Sequence, residues 1–204
     1  GGLPHGSLAS RMAVQFFDAM VSNAEACCTE DELNRAVHSI HRFLIENGEK
    51  VAGEEGIGTT LTALRTFGNQ GIVAHVGDSS AYILNGNGLC KISKDHTLEQ
   101  EILDKLKPGE TIEEQDLPDY YHHTLTRCLG QDTDFSVDFH QFSINPGDRV
   151  LICSDGVTNM IELEDLEQLC QVSDDPEVCA KGIVDTANQN GGVDNSTAVL
   201  VFAT

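Results

Sequence analysis

Apolar residues recur at helical spacing in two early segments, then change to short strand-like runs. Residues 10–21 place Met12, Ala13, Phe16, Phe17, Met20 and Val21 on one helical face. A second helix is predicted to start at Thr29, because Glu32 three residues later completes a capping-box pattern. Its apolar positions Leu33, Val37, Ile40 and Leu44 keep the helical period, and Gly48 is the expected C-terminal stop.

Strand patterns follow over residues 60–67, 71–76, 81–84 and 89–92, the last two separated by the turn Asn85-Gly86-Asn87-Gly88. A helix is predicted over residues 98–106, ended by Pro108-Gly109. Residues 110–123 are polar, acidic and irregular, which suits a surface insertion or flap. The last third alternates again: strands over 136–144 and 149–153, a helix over 163–169, a helix opened by Asp175-Pro176, and a closing strand over 196–203. Strands mixed with helix pairs, with few β-α-β alternations, predict an α+β fold of antiparallel sheets flanked by helices.

Charge narrows the partners. Twelve Lys+Arg stand against 33 Asp+Glu, a net charge of −21 over 204 residues. That balance argues against nucleic acid, where Lys and Arg meet phosphates, and against an anionic membrane held by a basic patch. No apolar stretch approaches the roughly 20 residues of a membrane span. The seven cysteines are odd in number, irregularly spaced and free of any C-x-x-C, so neither a zinc site nor a disulfide framework is expected. A reducing cytoplasm is the compartment this composition fits.

Three acidic positions share one context. Asp78 ends the apolar run 73–76 as Gly77-Asp78, Asp155 ends the run 150–153 as Ser154-Asp155-Gly156, and Asp194 follows Gly191-Gly192-Val193 just before the final strand. Each sits at a predicted sheet rim beside glycine, which tolerates tight turns and close backbone approach. Carboxylates supplied from several strand ends suit a hard cation such as Mg²⁺ or Mn²⁺. An Asp next to Gly is also among the commonest turn signals, so spacing alone leaves both readings open.

Six motifs occur in order: Gly58-Thr59-Thr60-Leu61, Val76-Gly77-Asp78-Ser79, Lys94-Asp95-His96-Thr97-Leu98, Leu125-Thr126-Arg127-Cys128-Leu129-Gly130, Ser154-Asp155-Gly156-Val157 and Gly192-Val193-Asp194-Asn195-Ser196-Thr197. Each is weak alone. The ordered set resembles the PP2C-type (PPM) metal-dependent serine/threonine protein phosphatases, bacterial branch, over nearly the whole chain. The resemblance implies a sandwich of two antiparallel sheets flanked by helix pairs, with a flap-like segment at about 95–130. It implies Asp155 and Asp194 as ligands of two Mn²⁺ or Mg²⁺ ions, and Asp78 as a ligand of a third, weaker one with Asp155 near it. The implied chemistry is hydrolysis of phosphoserine or phosphothreonine by a water that the metals activate. No cysteine nucleophile is needed, and Cys153 reads as core. The implied partner is a phosphorylated protein, a serine/threonine kinase or its targets, with no nucleic acid and no membrane.

The start departs from that pattern. Gly1-Gly2, Leu3-Pro4-His5 and Gly6 fit only the tail of the family's Asp-Gly-x-Gly-Gly motif. Its metal-bridging aspartate, the upstream strands and the family's N-terminal phosphate-binding arginine are not in the sequence. The expectation is a single domain over 1–204, N-terminally incomplete, with exposed sheet edges, weak metal binding and poor turnover on its own. The alternative is a pseudophosphatase, a regulatory module that binds phosphoproteins or a kinase. His38 and His41, three apart on a helix, are expected on a solvated face, and His122-His123 on the flap surface.

Overall fold

The computed structural model describes residues 5–21, 29–53, 56–112, 117–131 and 135–204. The readings placed on Gly1, Gly2 and Leu3, and on the side chain of Val21, lie outside the described residues. Contacts divide the chain into two units. One comprises Gly1–Leu61, Ala74–Asp78 and Asp95–Phe139, the other Thr62–Val73, Ser79–Lys94 and His140–Thr204.

In the first unit, helices α1 (Gly6–Val21) and α2 (Glu30–Ala52) pack side by side. Ala9 and Ala13 are fully buried and let the helices approach, while Phe16 stacks on Phe43 with centroids 4.7 Å apart. Val37, Ile40 and Leu44 of α2 complete that core with Ile57 and Leu129. Of the apolar face expected on α1, Met12, Phe16 and Phe17 pack against this core, whereas Met20 is exposed. The capping box forms as read: the Thr29 hydroxyl accepts from Glu32 N–H, and Thr29 N–H donates to the Glu32 carboxylate at 2.9 Å.

Gly48 does not end α2. A Cβ there would stand 3.0 Å from Ile57 N and 3.1 Å from Ile57 Cγ1, so this glycine makes room for close packing. The stop is Gly53, whose φ of 67° leaves the helical region and whose N–H donates to the Glu49 carbonyl. Helix α3 (Leu98–Leu103) is also shorter than its pattern, because Lys105 and Leu106 bond back three residues, to Ile102 and Leu103. Among the described residues of the stretch 110–123, Tyr120–His123 form the short helix α4, and isolated bridges join Thr97 to Leu125 and Thr59 to Leu129.

Strands β1 (Leu61–Phe67), β2 (Gln70–Val76) and β5 (Asp138–Ser143) form one sheet in the order β1-β2-β5. In the second unit, β3 (Ser80–Asn85), β4 (Gly88–Lys91), β6 (Arg149–Cys153) and β7 (Ala198–Phe202) form an antiparallel sheet ordered β4-β3-β6-β7. Helices α6 (Leu163–Leu169) and α7 (Pro176–Gln189) cover it through Leu166, Ile183 and Ala187, packed with Leu84, Leu151 and Cys153. The α+β class with two antiparallel sheets is therefore as expected. Edge strand β4 is bonded by Glu167 of α6, whose carboxylate accepts from Leu89 N–H at 3.0 Å. The other edge strand, β7, alternates: Val199 and Val201 are exposed on one face. Among the described residues no helix is long and apolar enough to cross a membrane.

Candidate metal centre

Asp155 and Asp194 are brought together within the second unit. Strand β6 ends at Cys153, and Asp155 opens the four-residue helix α5 (Asp155–Thr158), which sequence reading did not anticipate. The two acidic turns are laced by hydrogen bonds. Ser154 Oγ donates to the Asn195 carbonyl at 3.1 Å and accepts from Thr197 N–H at 3.0 Å. Ser154 N–H donates to the Thr197 carbonyl, and Ser196 Oγ donates to the Gly156 carbonyl at 2.9 Å. Gly156 has no room for a side chain: a Cβ would lie 2.6 Å from the Asn195 carbonyl oxygen and 3.3 Å from that of Asp194.

Each carboxylate is pinned by the next residue. Asp155 Oδ1 accepts from Gly156 N–H at 2.9 Å, and Asp194 Oδ1 from Asn195 N–H at 2.6 Å. Their second oxygens accept no hydrogen bond from the described residues. Asp155 is half-buried and Asp194 exposed. Two hard, solvent-reachable carboxylates fit Mg²⁺ or Mn²⁺, since Mg²⁺ is commonly held by one or two carboxylates with retained waters. Among the described residues no group of three His, Cys, Asp or Glu side chains is placed to hold an ion.

Asp78 belongs to the first unit and is half-buried. The preceding Gly77 has φ 113°, and a Cβ on it would fall 2.3 Å from Thr60 Cγ2. Both backbone groups of Gly77 bind His96. Gly77 N–H donates to His96 Nδ1 at 3.0 Å, and His96 N–H donates to the Gly77 carbonyl at 2.8 Å. Because Nδ1 accepts a backbone N–H, the ring proton sits on Nε2 and points to Asp138 Oδ2 at 3.1 Å. Arg127 Nη1 donates to the other oxygen, Asp138 Oδ1, at 2.7 Å.

Burial holds His96 below its ordinary value, aided by Arg127 and opposed by Asp138. For Asp138, burial pushes upward, but the hydrogen bonds from His96 and Arg127 outweigh it and hold the carboxyl below its ordinary value. In the sequence His96 and Arg127 stand out only as members of their motifs, and Asp138 does not stand out at all. Nothing local marks Asp138, which meets its partners across 42 and 11 residues of chain.

His38 and His41 both lie against the Phe135 ring, with centroids 4.7 and 4.2 Å away, and are half-buried instead of solvated. His122 Nδ1 meets Glu99 at 3.0 Å, so it is tied to α3. Cys153 is buried in the core as expected, and burial pushes the Cys170 thiol up to about 12, far from any nucleophile's range.

The model for protein phosphatase 2C matches residues 1–181. A curated relative, the serine/threonine phosphatase stp of Listeria welshimeri, is 31% identical over 98% of this chain and 80% of its own length. A serine/threonine phosphatase structure from S. agalactiae superposes with a TM-score of 0.88 at 25% identity, over 99% of this chain and 84% of that one. The catalytic domain of the serine threonine protein phosphatase PstP, solved in complex with two manganese ions, gives a TM-score of 0.82 at 26% identity, over 99% of this chain and 84% of that one. With the family match running through Asp78, Asp155 and the whole His96 cluster, this chain belongs to the protein phosphatase 2C family.

Proposed function

We propose that Asp155 and Asp194 are carboxylates with which this chain binds Mn²⁺ or Mg²⁺ to hydrolyse phosphoserine and phosphothreonine in proteins, and that Asp78 is a further metal carboxylate. The class itself, a metal-dependent serine/threonine phosphatase, follows from family membership and from relatives of that name. The observation carrying the residue assignment is the apposition of two acidic turns at Gly156, where a missing side chain lets the Asp155 turn lie on the backbone of Asp194 and Asn195.

A bound divalent cation supplies Lewis acidity toward the phosphoryl group and a more acidic water. The chain's own residues supply placement. The Ser154 hydroxyl and the Ser196 hydroxyl tie the two turns to one another, so the carboxylates need little reorganisation when a cation arrives. The pinned Oδ1 atoms leave Oδ2 of each side chain as the oxygen available to a cation. Phosphorylated proteins are the substrates, and a serine/threonine kinase or its targets are the proposed physiological ones.

The test is phosphate release from a phosphothreonine peptide with Mn²⁺, by this chain with the family's upstream Asp-Gly segment joined ahead of Gly1. Asp155→Ala and Asp194→Ala should each lower the rate by at least about 100-fold, because a Lewis acid contributes several kcal/mol at the transition state. Unchanged turnover in either variant would sink that assignment.

A further inference from the structure

We infer that His96 is a positioning residue: by clamping both backbone groups of Gly77, it sets the direction in which Asp78 presents its carboxylate. The inference rests on Asp78 being a metal carboxylate.

Strand β2 ends at Val76, and the chain must turn at once to deliver Asp78. Gly77 makes that turn with a φ of 113°, in a region that side chains other than glycine's avoid. Glycine there satisfies Thr60, whose Cγ2 occupies the space a Cβ would need. The same freedom leaves Gly77 the softest joint on the path to Asp78. His96 closes it from both sides, accepting from Gly77 N–H through Nδ1 and donating its own N–H to the Gly77 carbonyl. Two bonds to one glycine fix both of its peptide planes, and the second plane carries Asp78.

The ring is itself held. Nε2–H donates to Asp138, Arg127 braces Asp138 from the other oxygen, and His75 packs on the ring with centroids 4.9 Å apart. His96 is 4% exposed, and its main-chain carbonyl accepts from Thr126 N–H at 2.8 Å. Both ring nitrogens are thus committed, one as acceptor and one as donor. That arrangement excludes His96 as a general base, which needs an available lone pair, and it suits a strut. Arg127, Asp138, His96 and Gly77 form one chain of contacts ending at Asp78. Outer partners of this kind orient a metal ligand without touching the metal.

The amide side chains of Asn and Gln separate the two ring positions. His96→Asn places its oxygen near the site of Nδ1 and keeps an acceptor for Gly77 N–H. His96→Gln reaches instead toward the site of Nε2 and loses that acceptor. Mn²⁺ binding to the whole chain is followed by the electron paramagnetic resonance of free Mn²⁺, with melting temperatures measured in parallel. Asp78→Asn should remove the weakest class of bound Mn²⁺. His96→Gln should weaken that class by about 10-fold or more, and His96→Asn should restore most of the loss at a similar melting temperature.

If Asp78→Asn removes the class while both His96 variants bind as the unaltered chain does, or are impaired equally, the inference fails and the ligand assignment stands. If Asp78→Asn changes nothing, the ligand assignment fails and the inference falls with it. Should His96→Gln not fold, Asp138→Ala leaves His96 in place but releases its ring. It should weaken the same class, and unaltered binding there overturns the inference.

Discussion

At the scale of single residues, His96 is where burial, tautomer and charge meet, and it gives the chain an acid-sensitive point. It faces Asp138 and Arg127, packs on His75 and feels Asp95. Its folded pKa lies below the ordinary 6.5. As pH falls through 6.5 toward the folded value, the unfolded chain takes up a proton that the folded chain resists, so stability is lost in that window. The steepest slope one such group gives is about 1.4 kcal/mol per pH unit. Asp138 acts in the same direction but further into acid: its depressed pKa stabilises the fold above 3.8, and the contribution is lost as pH falls below that. Thermal melts between pH 8 and pH 5 should therefore fall more steeply for the unaltered chain than for His96→Asn, which has no ring to protonate. Parallel curves would assign the acid sensitivity elsewhere.

At the scale of elements, most boundaries were readable because local rules set them: the Thr29–Glu32 capping box, the Asp175-Pro176 helix start and the apolar run of β6. Tertiary packing overrode one glycine signal, and a local tightening to i→i−3 bonds at Lys105 and Leu106 overrode one proline signal. Gly48 reads as a stop, yet Ile57 needs the space it leaves, and α3 ends well before Pro108. The glycine-flanked strand ends single out Asp155 and Asp194 as candidates, and only the family resemblance gives them a metal role, whereas nothing in the sequence marks the Asp138 brace, since only the fold brings it to His96. Helix α5 was missed because four residues carry no periodicity.

The contact between α5 and the loop before β7 yields a prediction of its own. A methyl at Gly156 would press on the Asn195 carbonyl, 2.6 Å from the added carbon, and must part the two acidic turns. Gly156→Ala should then weaken Mn²⁺ binding by about 10-fold or more. Gly86→Ala, with nothing within 4 Å of its added carbon, is the control and should bind as before. Equal affinity in both variants would show that the spacing of the two turns is immaterial.

For the molecule as a whole, the excess of carboxylates acts twice. A net charge of −21 repels itself across the folded surface, and dissolved salt screens that repulsion within about 10 Å at 0.1 M. Any salt should thus raise the melting temperature somewhat. A divalent cation that binds the folded chain alone should add a second increment, about 2.7 kcal/mol at 100 times its dissociation constant, or roughly 5–10 °C for a chain this long. Only the second increment depends on particular side chains. MnCl₂ should therefore stabilise the chain beyond NaCl of equal ionic strength, and Asp155→Asn with Asp194→Asn should remove most of the surplus while keeping the shared salt response. Replacing two of 33 acidic residues barely alters the overall field but removes the apposed pair. A surplus that survives undiminished in the double variant would place the cation effect at Asp78 or in the diffuse acidic surface instead of the turns joined at Gly156.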